Sequence, residues 1–391
     1  MMGKVKIVAT ADNHLNRFYD RMQPQKLSRR RKYLREGFKS AVDYAIEWSA
    51  HLFLIAGDLF DQPDPRNIDR VFVAECLGRL KAARVKVCAV SGNHDTPRQS
   101  TDQGGYTPQE IYHQLDALTF FDSNCEIISE YIEIEGVRVA IGGLSPDPNW
   151  PAGSDPLAGL NWTHNGDLGI LLLHGQVEGY SLPDTPSPIF TINSLEALNQ
   201  ANLIIVGDIH RPATKRLGKR LLVIPGATER MTFGENPDVP GFVTVELDTT
   251  GQITSQRIQL SGQPRAELRI RVADLSQTDS LADLVSRVEA VATPDTMVKL
   301  FLEGFITRDQ YHGLQLRKVL ETVNPKVFHF TLDTSGLMLA DERHEIAGRG
   351  IRLSQEEELQ SIASEFMTEF PDSLEEQNLF NEALKEVLSN Y

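Results

Sequence analysis

Residues 85–97 read VKVCAVSGNHDTP, a run of small and apolar residues that stops abruptly at Gly92, Asn93, His94 and Asp95. Val85 to Val90 is short and rich in valine, which suits a strand buried on both faces. Beyond it glycine frees the backbone, and three polar groups crowd one strand end. The same texture recurs on both sides. Upstream, Lys6 to Ala9 leads into Asp12 and His14, and Leu52 to Ala56 leads into Gly57-Asp58 and then Asp61. Downstream, Leu168 to Leu173 leads into His174-Gly175, and Leu203 to Val206 into Gly207-Asp208-Ile209-His210. Val137 to Ile141, Leu221 to Ile224 and Phe242 to Leu247 are further runs of this kind. Between them lie two segments of helical period. Phe38 to Ser49 carries Phe38, Ala41, Val42, Ala45 and Ile46 on one face; Asn67 to Ala83 carries Ile68, Val71, Phe72, Cys76, Leu77 and Leu80. Strands alternating with helices specify an α/β architecture, whose sites form at the carboxyl ends of its strands.

Chemistry follows from what those ends deliver. Asp12, His14, Asp58, Asn93, His174, Asp208 and His210 are all ligand-type groups, with His94 to spare. Imidazoles mixed with carboxylates and one amide, without thiolates, suit Mn, Fe or Zn better than an all-oxygen Ca or Mg site. Seven ligands exceed what one ion needs. Two ions are accommodated if one carboxylate, most simply Asp58, is shared, and such a pair serves to clamp the attacking and leaving oxygens of a phosphoester. Taken singly, each motif has a plainer explanation: a turn, a helix cap, or a histidine satisfied within the core. Their recurrence at successive strand ends is what favours a metal site.

The 391 residues suffice for two to three domains. Hydrophobic residues make up 41% and charged residues 24%, an ordinary globular composition that excludes collagen-like, disulfide-scaffold and wholly disordered chains. No run approaches the roughly 18 apolar residues of a membrane span, nothing at the start resembles a signal peptide, and three cysteines without metal or redox spacing fit a cytoplasmic protein. The net charge of −15 argues against a free-standing nucleic-acid coat. It is concentrated: Asp341 to Tyr391 holds 13 acidic and 4 basic side chains.

The strand-and-helix pattern continues to about residue 262, interrupted by two long Pro/Gly/Asp/Asn-rich stretches, Ser145 to Asp167 and Glu178 to Pro188, that read as functional loops. Residues 265–335 then alternate strand, helix, strand, helix, strand, with Thr307 and Gln310 as a capping box, and form a small α+β domain. From 340 to 391 two amphipathic helices flank Pro371, each with one apolar stripe and one acidic face that suits docking into a partner's coiled coil.

Asp12-x-His14, Gly57-Asp58-x-x-Asp61, Gly92-Asn93-His94-Asp95, His174-Gly175 and Gly207-x-x-His210 together resemble the five motifs of the calcineurin-like metallophosphoesterases. Pro225 to Arg230 and Phe233-Gly234-Glu235 are similar to the segment that closes the catalytic domain in the SbcD (Mre-eleven) branch of DNA repair nucleases. The resemblance implies a two-sheet sandwich flanked by helices, a capping domain and a helical tail. It implies that Asp12, His14, Asp58 and His210 hold one ion, and that Asp58, Asn93, His174 and residue 208 hold the other. The expected cofactor is a pair of divalent ions, Mn2+ first, with Mg2+, Fe2+ or Zn2+ as alternatives. His94 stays off the metals and serves the leaving oxygen, Asp95 orients it, and water made acidic by the two cations attacks. The expected activity is DNA exo- or endonucleolytic cleavage in repair; phosphatase or nucleotidase action on small phosphoesters is the rival enzyme reading, and a decayed, non-catalytic scaffold the other. The implied partners are DNA, an SbcC-type SMC-like ATPase docked on the tail, and a second copy of the chain.

Three positions depart from the family pattern: Asp208 stands for a usual His, Asn13 for a usual Trp, and Ala227-Thr228 for a usual Ser-Pro. The densest basic cluster, Arg21, Lys26, Arg29, Arg30, Arg31, Lys32 and Arg35, follows the first motif and reads as a phosphate-backbone track, to which Arg211 and Arg230 would add. A solvated helix face or structural ion pairs are the competing reading of those same residues.

Overall fold

The computed structural model describes residues 4–19, 22–98, 105–180, 187–235, 238–250, 252–276 and 278–339. The helices expected in residues 340–391 and Arg21 lie outside the described residues. The chain divides into two compact units, Met1–Pro264 and Arg265–Tyr391.

The larger unit is built on two six-stranded mixed sheets. The first runs Ile253–Gln259, Gly241–Asp248, Lys4–Thr10, Leu52–Ala56, Lys86–Val90, Thr119–Phe121, the last four parallel to one another and the first two antiparallel. The second runs Ala213–Leu217, Arg220–Ile224, Leu203–Gly207, Leu168–His174, Val137–Leu144, Ile128–Ile134, with four parallel strands between antiparallel edges. Because successive side chains of a strand face opposite ways, each central strand feeds two cores. Ile7, Ala9, Leu52 and Leu54 meet Val139, Ile141, Ile170, Leu172 and Ile205 between the sheets. Val8, Phe53 and Ile55 face outward onto Leu34, Phe38, Val73 and Leu77 of the helices Pro24–Glu47 and Asn67–Ala82. The unbroken apolar stretches within these strands follow from that double burial.

Two expectations about the helices need correction. The first helix begins at Pro24, fourteen residues before the apolar period begins at Phe38, because its early turns bury Arg30 and Arg31 beside Leu27 and Leu34. Proline in the first turn supplies a pre-set φ where no backbone donor is needed. In the second helix Ile68 and Val71 are exposed, and the buried position between them is Asp69, which pairs with Arg35 at 2.8 Å.

Arg30 is wholly buried. Its guanidinium donates to Gln263 Oε1 (3.1 Å), the Arg230 carbonyl and Tyr19 Oη (3.2 Å), and lies 3.5 Å from Glu229, itself buried. It therefore ties the first helix to the far end of the unit and is not part of a phosphate track. Arg30→Leu leaves Glu229 buried without its cation, and should lower unfolding free energy by about 3–5 kcal/mol in urea denaturation. A loss under 1 kcal/mol would contradict this role.

In the smaller unit Arg265–Arg271, Met297–Ile306 and His329–Leu339 form a parallel three-stranded sheet. Helices Ser280–Glu289, Arg308–Gly313 and Leu316–Val323 occupy the connections, packing Leu284, Val288, Val319 and Val323 on Val298, Leu300 and Leu302. Thr307 and Gln310 form the capping box read from the sequence. The single helix expected there is broken at Gln315, whose φ is 45°. Among the described residues no helix is long and apolar enough to cross a membrane. Cys76, Cys88 and Cys125 are free thiols.

Candidate metal centre

The parallel strands of both sheets end on one side of the sandwich, and the chain turns sharply there. Asp12, His14, Asp58 and Asp208 all take positive φ, at 51°, 44°, 47° and 85°. Residues other than glycine adopt that backbone at a cost of about 1–3 kcal/mol each, a strain that gathers where side chains must be aimed. The first two loops hold it by pairing past the strand ends: Asn13 N and His14 N donate to the Asp58 carbonyl at 2.9 and 3.0 Å, and Leu15 N to that of Leu59 at 3.0 Å. Glycines make room. A Cβ on Gly57 would sit 2.1 Å from His174 Nδ1, and one on Gly92 would sit 2.0 Å from Asp58 Oδ1.

Three imidazoles are oriented in the same sense. His14 Nδ1 faces Asp61 Oδ1 at 3.0 Å, His174 Nδ1 faces the Ala56 carbonyl at 2.9 Å, and His210 Nδ1 faces Glu235 Oε1 at 3.2 Å. An acceptor on Nδ1 leaves the Nε2 lone pair free, which is how metal-binding histidines are generally held. Those Nε2 atoms converge. His14 and His210 bring theirs within 3.1 Å, and Asp58 Oδ2 lies 3.6 Å from Nε2 of both His14 and His174. Asp58 Oδ1 accepts from His94 N at 2.9 Å, so Oδ2 remains for the shared position.

The remaining ligand-type groups surround the His174 side. Asn93 Oδ1 lies 3.0 Å from His174 Nε2, 3.2 Å from Asp58 Oδ2 and 3.3 Å from Asp208 Oδ1, so an acceptor faces acceptors. Asp208 Oδ1 is 3.8 Å from His174 Nε2, while its other oxygen accepts from Gln176 Nε2. Asp12 Oδ1 accepts from Asp208 N at 2.9 Å, and its Oδ2 is buried with no hydrogen-bond partner. Such crowding of lone pairs is unfavourable unless cations or protons sit among them. The donors fall into three overlapping groups whose atoms lie within 4.8 Å: Asp12, His14 and His210; His14, Asp58 and His94; Asp12, Asp58 and His174. The donor set fits two divalent ions.

The electrostatics of the centre reflect this excess. Burial pushes the Asp12 and Asp58 carboxyls upward, Asp58 well above its ordinary range. Burial opposes charge on His174 and His210 too. It is outweighed by Asp58, Asp208 and Asp12 around His174, and by Glu235 and Asp12 around His210, so both rise to about 9. His14 drops to about 3 through burial and the neighbouring His210 and His94.

His94 is 42% exposed and stands edge-on to His14, with ring centroids 4.7 Å apart. Its Nδ1 faces the Asp61 carbonyl at 3.3 Å. The expectation that Asp95 orients it is corrected: the buried Asp95 carboxylate accepts from Gly92 N (2.7 Å), Phe60 N (3.2 Å) and Gln109 Nε2, fixing the loop's backbone instead. Asp61, quoted in the motif without a role, serves both His14 and His94 and also accepts from Arg17 at 2.9 Å. Glu235 and Gln176 were not recognised as partners of His210 and Asp208. Glu235→Gln replaces an anionic acceptor by a neutral one and should weaken manganese binding about 10–100-fold by calorimetry; unchanged affinity would remove Glu235 from the centre.

The expected nucleic-acid contacts divide. Arg30 and Arg31 are buried, Arg31 donating to the Arg17 carbonyl at 3.0 Å, and neither is available to a phosphate backbone. Arg29 and Lys32 are exposed. Arg211 is exposed beside Asp238 (3.3 Å), and half-buried Arg230 donates to the Asp238 carbonyl at 2.7 Å. Two departures from the family pattern meet in space: Thr228 Oγ1 donates to Asn13 Oδ1 at 3.1 Å, both residues buried.

Comparison with known proteins adds a family match. The model of the calcineurin-like phosphoesterases covers residues 5–212. A DNA double-strand break repair protein Mre11 from Halobacterium salinarum is 23% identical over 304 residues, 76% of this chain and 70% of that protein. One of the same description from Saccharolobus solfataricus is 29% identical over 133 residues, 34% of this chain and 33% of that protein. Among solved structures, a dimetal phosphatase from Danio rerio is 12% identical with a TM-score of 0.40, covering 65% of this chain and 96% of the other.

Proposed function

Given that the chain belongs to the calcineurin-like phosphoesterase family, we propose that it is the nuclease subunit of an SbcD-type DNA-end-processing machine, cutting phosphodiester bonds with two divalent cations. The observation that carries the proposal is the set of three histidines whose Nδ1 atoms are tied back, with Nε2 of His14 and His174 meeting at Asp58 Oδ2 and Nε2 of His210 beside that of His14. Asp12, His14, Asp58 and His210 would hold one cation, and Asp58, Asn93, His174 and Asp208 the other. When bound, the cations polarise a phosphoryl oxygen and acidify water. An anionic oxygen at 208 and an amide oxygen at 93 beside one imidazole make the second position the harder of the two, which favours Mn2+.

The protein's own groups do the rest. His94 is exposed at the centre, and its Nδ1 is engaged by the Asp61 carbonyl, which leaves Nε2 to serve the leaving oxygen. Asp61 holds His14 and His94 in mutual register, and Asp95 fixes the backbone that carries Asn93 and His94. Arg29, Lys32 and Arg211 are the exposed cations of the expected track and would meet phosphates of a bound strand.

DNA-repair relatives support DNA over a small phosphoester as substrate, and the acidic balance of the chain supports a partner that brings DNA-binding surface. We assign that partner as an SMC-like ATPase docked through residues 340–391. Exposed Ile68, Val71, Ile111 and Leu115 lie on helices joined by a Tyr112 Oη hydrogen bond to the Arg70 carbonyl, and suit pairing with a second copy.

The test is incubation of the purified chain with Mn2+ and end-labelled single-stranded and duplex DNA, with and without the ATPase. Cleavage should stop with chelator and fall about 10²–10⁴-fold in His94→Ala. Hydrolysis of p-nitrophenyl phosphate with DNA left intact would replace the proposal by a small-molecule phosphatase.

A further inference from the structure

The two Pro/Gly/Asp/Asn-rich stretches have no part in cation binding, yet both wall a cleft of about 650 Å³ over the His174 side of the centre. Asn93, His174 and Asp208 line it, so it opens directly onto the second cation position. Pro146, Pro148 and Trp150 come from the first stretch and Pro188 from the second, while Arg98 lines it from the loop after His94.

The Trp150 wall is held in place. Trp150 stands edge-to-face on buried Phe190, ring centroids 6.4 Å apart at 74°. Trp150 N donates to the Asp147 carbonyl at 3.0 Å, and the Asp147 carboxylate accepts from both Asn149 N and Nδ2, at 2.8 and 2.9 Å. An indole among rigid prolines, with one guanidinium, is a surface for a flat heterocycle that carries negative charge nearby. The volume falls in the range of pockets that take molecules of nucleotide size.

We infer that the cleft holds the unpaired base of the nucleotide attached to the scissile phosphate, stacked on Trp150. This rests on the nuclease reading above and narrows its substrate to frayed, flipped or single-stranded ends. A phosphate held at the second cation position brings its own nucleoside to the cleft. A base paired and stacked in a duplex cannot enter without leaving the helix. Base stacking on an aromatic side chain is sequence-tolerant, so the selection is for unpaired nucleotides and not for sequence.

The experiment compares single-stranded oligonucleotides carrying an abasic residue in turn on either side of the scissile bond, with Mn2+. At one of the two positions kcat/KM should fall about tenfold relative to the intact strand. In Trp150→Ala that ratio should shrink to about one, and Trp150→Phe should restore it in part, which separates stacking from misfolding. A second readout needs little turnover: with Mn2+ bound to His94→Ala, 2-aminopurine at the same position should be quenched on binding, and the quench lost when Trp150→Ala is added. Equal cleavage of intact and abasic strands at both positions, with unquenched 2-aminopurine, overturns the base cleft and leaves the nuclease reading standing. Hydrolysis of bis(p-nitrophenyl) phosphate with every oligonucleotide intact overturns the nuclease reading itself. Trp150-dependent hydrolysis of free nucleoside monophosphates alone would assign the cleft to a nucleotidase substrate and overturn the polymer assignment.

Discussion

Asp58→Asn should lower kcat/KM for a phosphodiester about a thousandfold and leave at most one cation bound after gel filtration. The carboxylate is 1% exposed, and its two oxygens have separate duties. Oδ1 is bound by the His94 amide, and Oδ2 stands equally far, 3.6 Å, from the imidazoles of both sides. The amide keeps the shape and loses the anion, so shared charge disappears while packing persists. Electrostatic contributions of several kcal/mol to the transition state correspond to about three powers of ten in rate. Two ions retained together with a tenth of wild-type activity would show that Asp58 is not the shared ligand.

Cation removal should produce the second large effect, on stability. The centre brings Asp12, Asp58 and Asp208 together with three imidazoles that offer lone pairs, a combination that folding alone disfavours. Saturation with Mn2+ at about a thousandfold over its Kd adds about 4 kcal/mol, which in a unit of this size raises Tm by roughly 10 °C in differential scanning calorimetry. The chelated protein should also lose stability with alkali. His174 and His210 rise to about 9 in the fold, above their ordinary 6.5, because carboxylates surround them. The stability linked to those protons is complete below pH 6.5 and is lost as the pH rises through 9. With cations bound the same nitrogens carry no proton, so the loaded protein should show no such alkaline decline. Parallel pH profiles in chelator and in Mn2+ would refute this account.

Legibility followed double burial. Strands that face two cores carry unbroken apolar stretches, and Leu52–Ala56, apolar throughout, reads from sequence to the residue. Edge strands such as Ala213–Leu217 and Ile253–Gln259 leave most of their side chains exposed or half-buried, so their mixed sequences give no apolar run. The apolar period finds only the second half of the first helix, because the early turns carry arginines, residues that seldom enter a core unpaired. Arg30 violates that rule only because Glu229 and Gln263 arrive from some two hundred residues away to satisfy it. The ligand-type residues were legible as strand-end motifs, since topology aligns the ends of parallel strands. Their supports were not: Asp61 reaches His14 across 47 positions, and Glu235 lies beyond any local spacing from His210. Asp95 shows the opposite error, since adjacency in sequence to His94 suggested a contact that the turned backbone does not permit.

The buried bond between Thr228 and Asn13 makes two oddities into one. The turn that carries Thr228 bridges Ala227 to Ala11, and the helix passes so near that a Cβ on Gly37 would come within 2.6 Å of the Thr228 carbonyl. Asn13→Trp would leave the buried Thr228 hydroxyl without its acceptor, and Thr228→Pro would leave the Asn13 amide oxygen without its donor. Residues in one buried hydrogen bond do not change independently, so substitutions at 13 and 228 should be strongly non-additive, and grafting a relative's residue at one of them calls for grafting its partner in the same step.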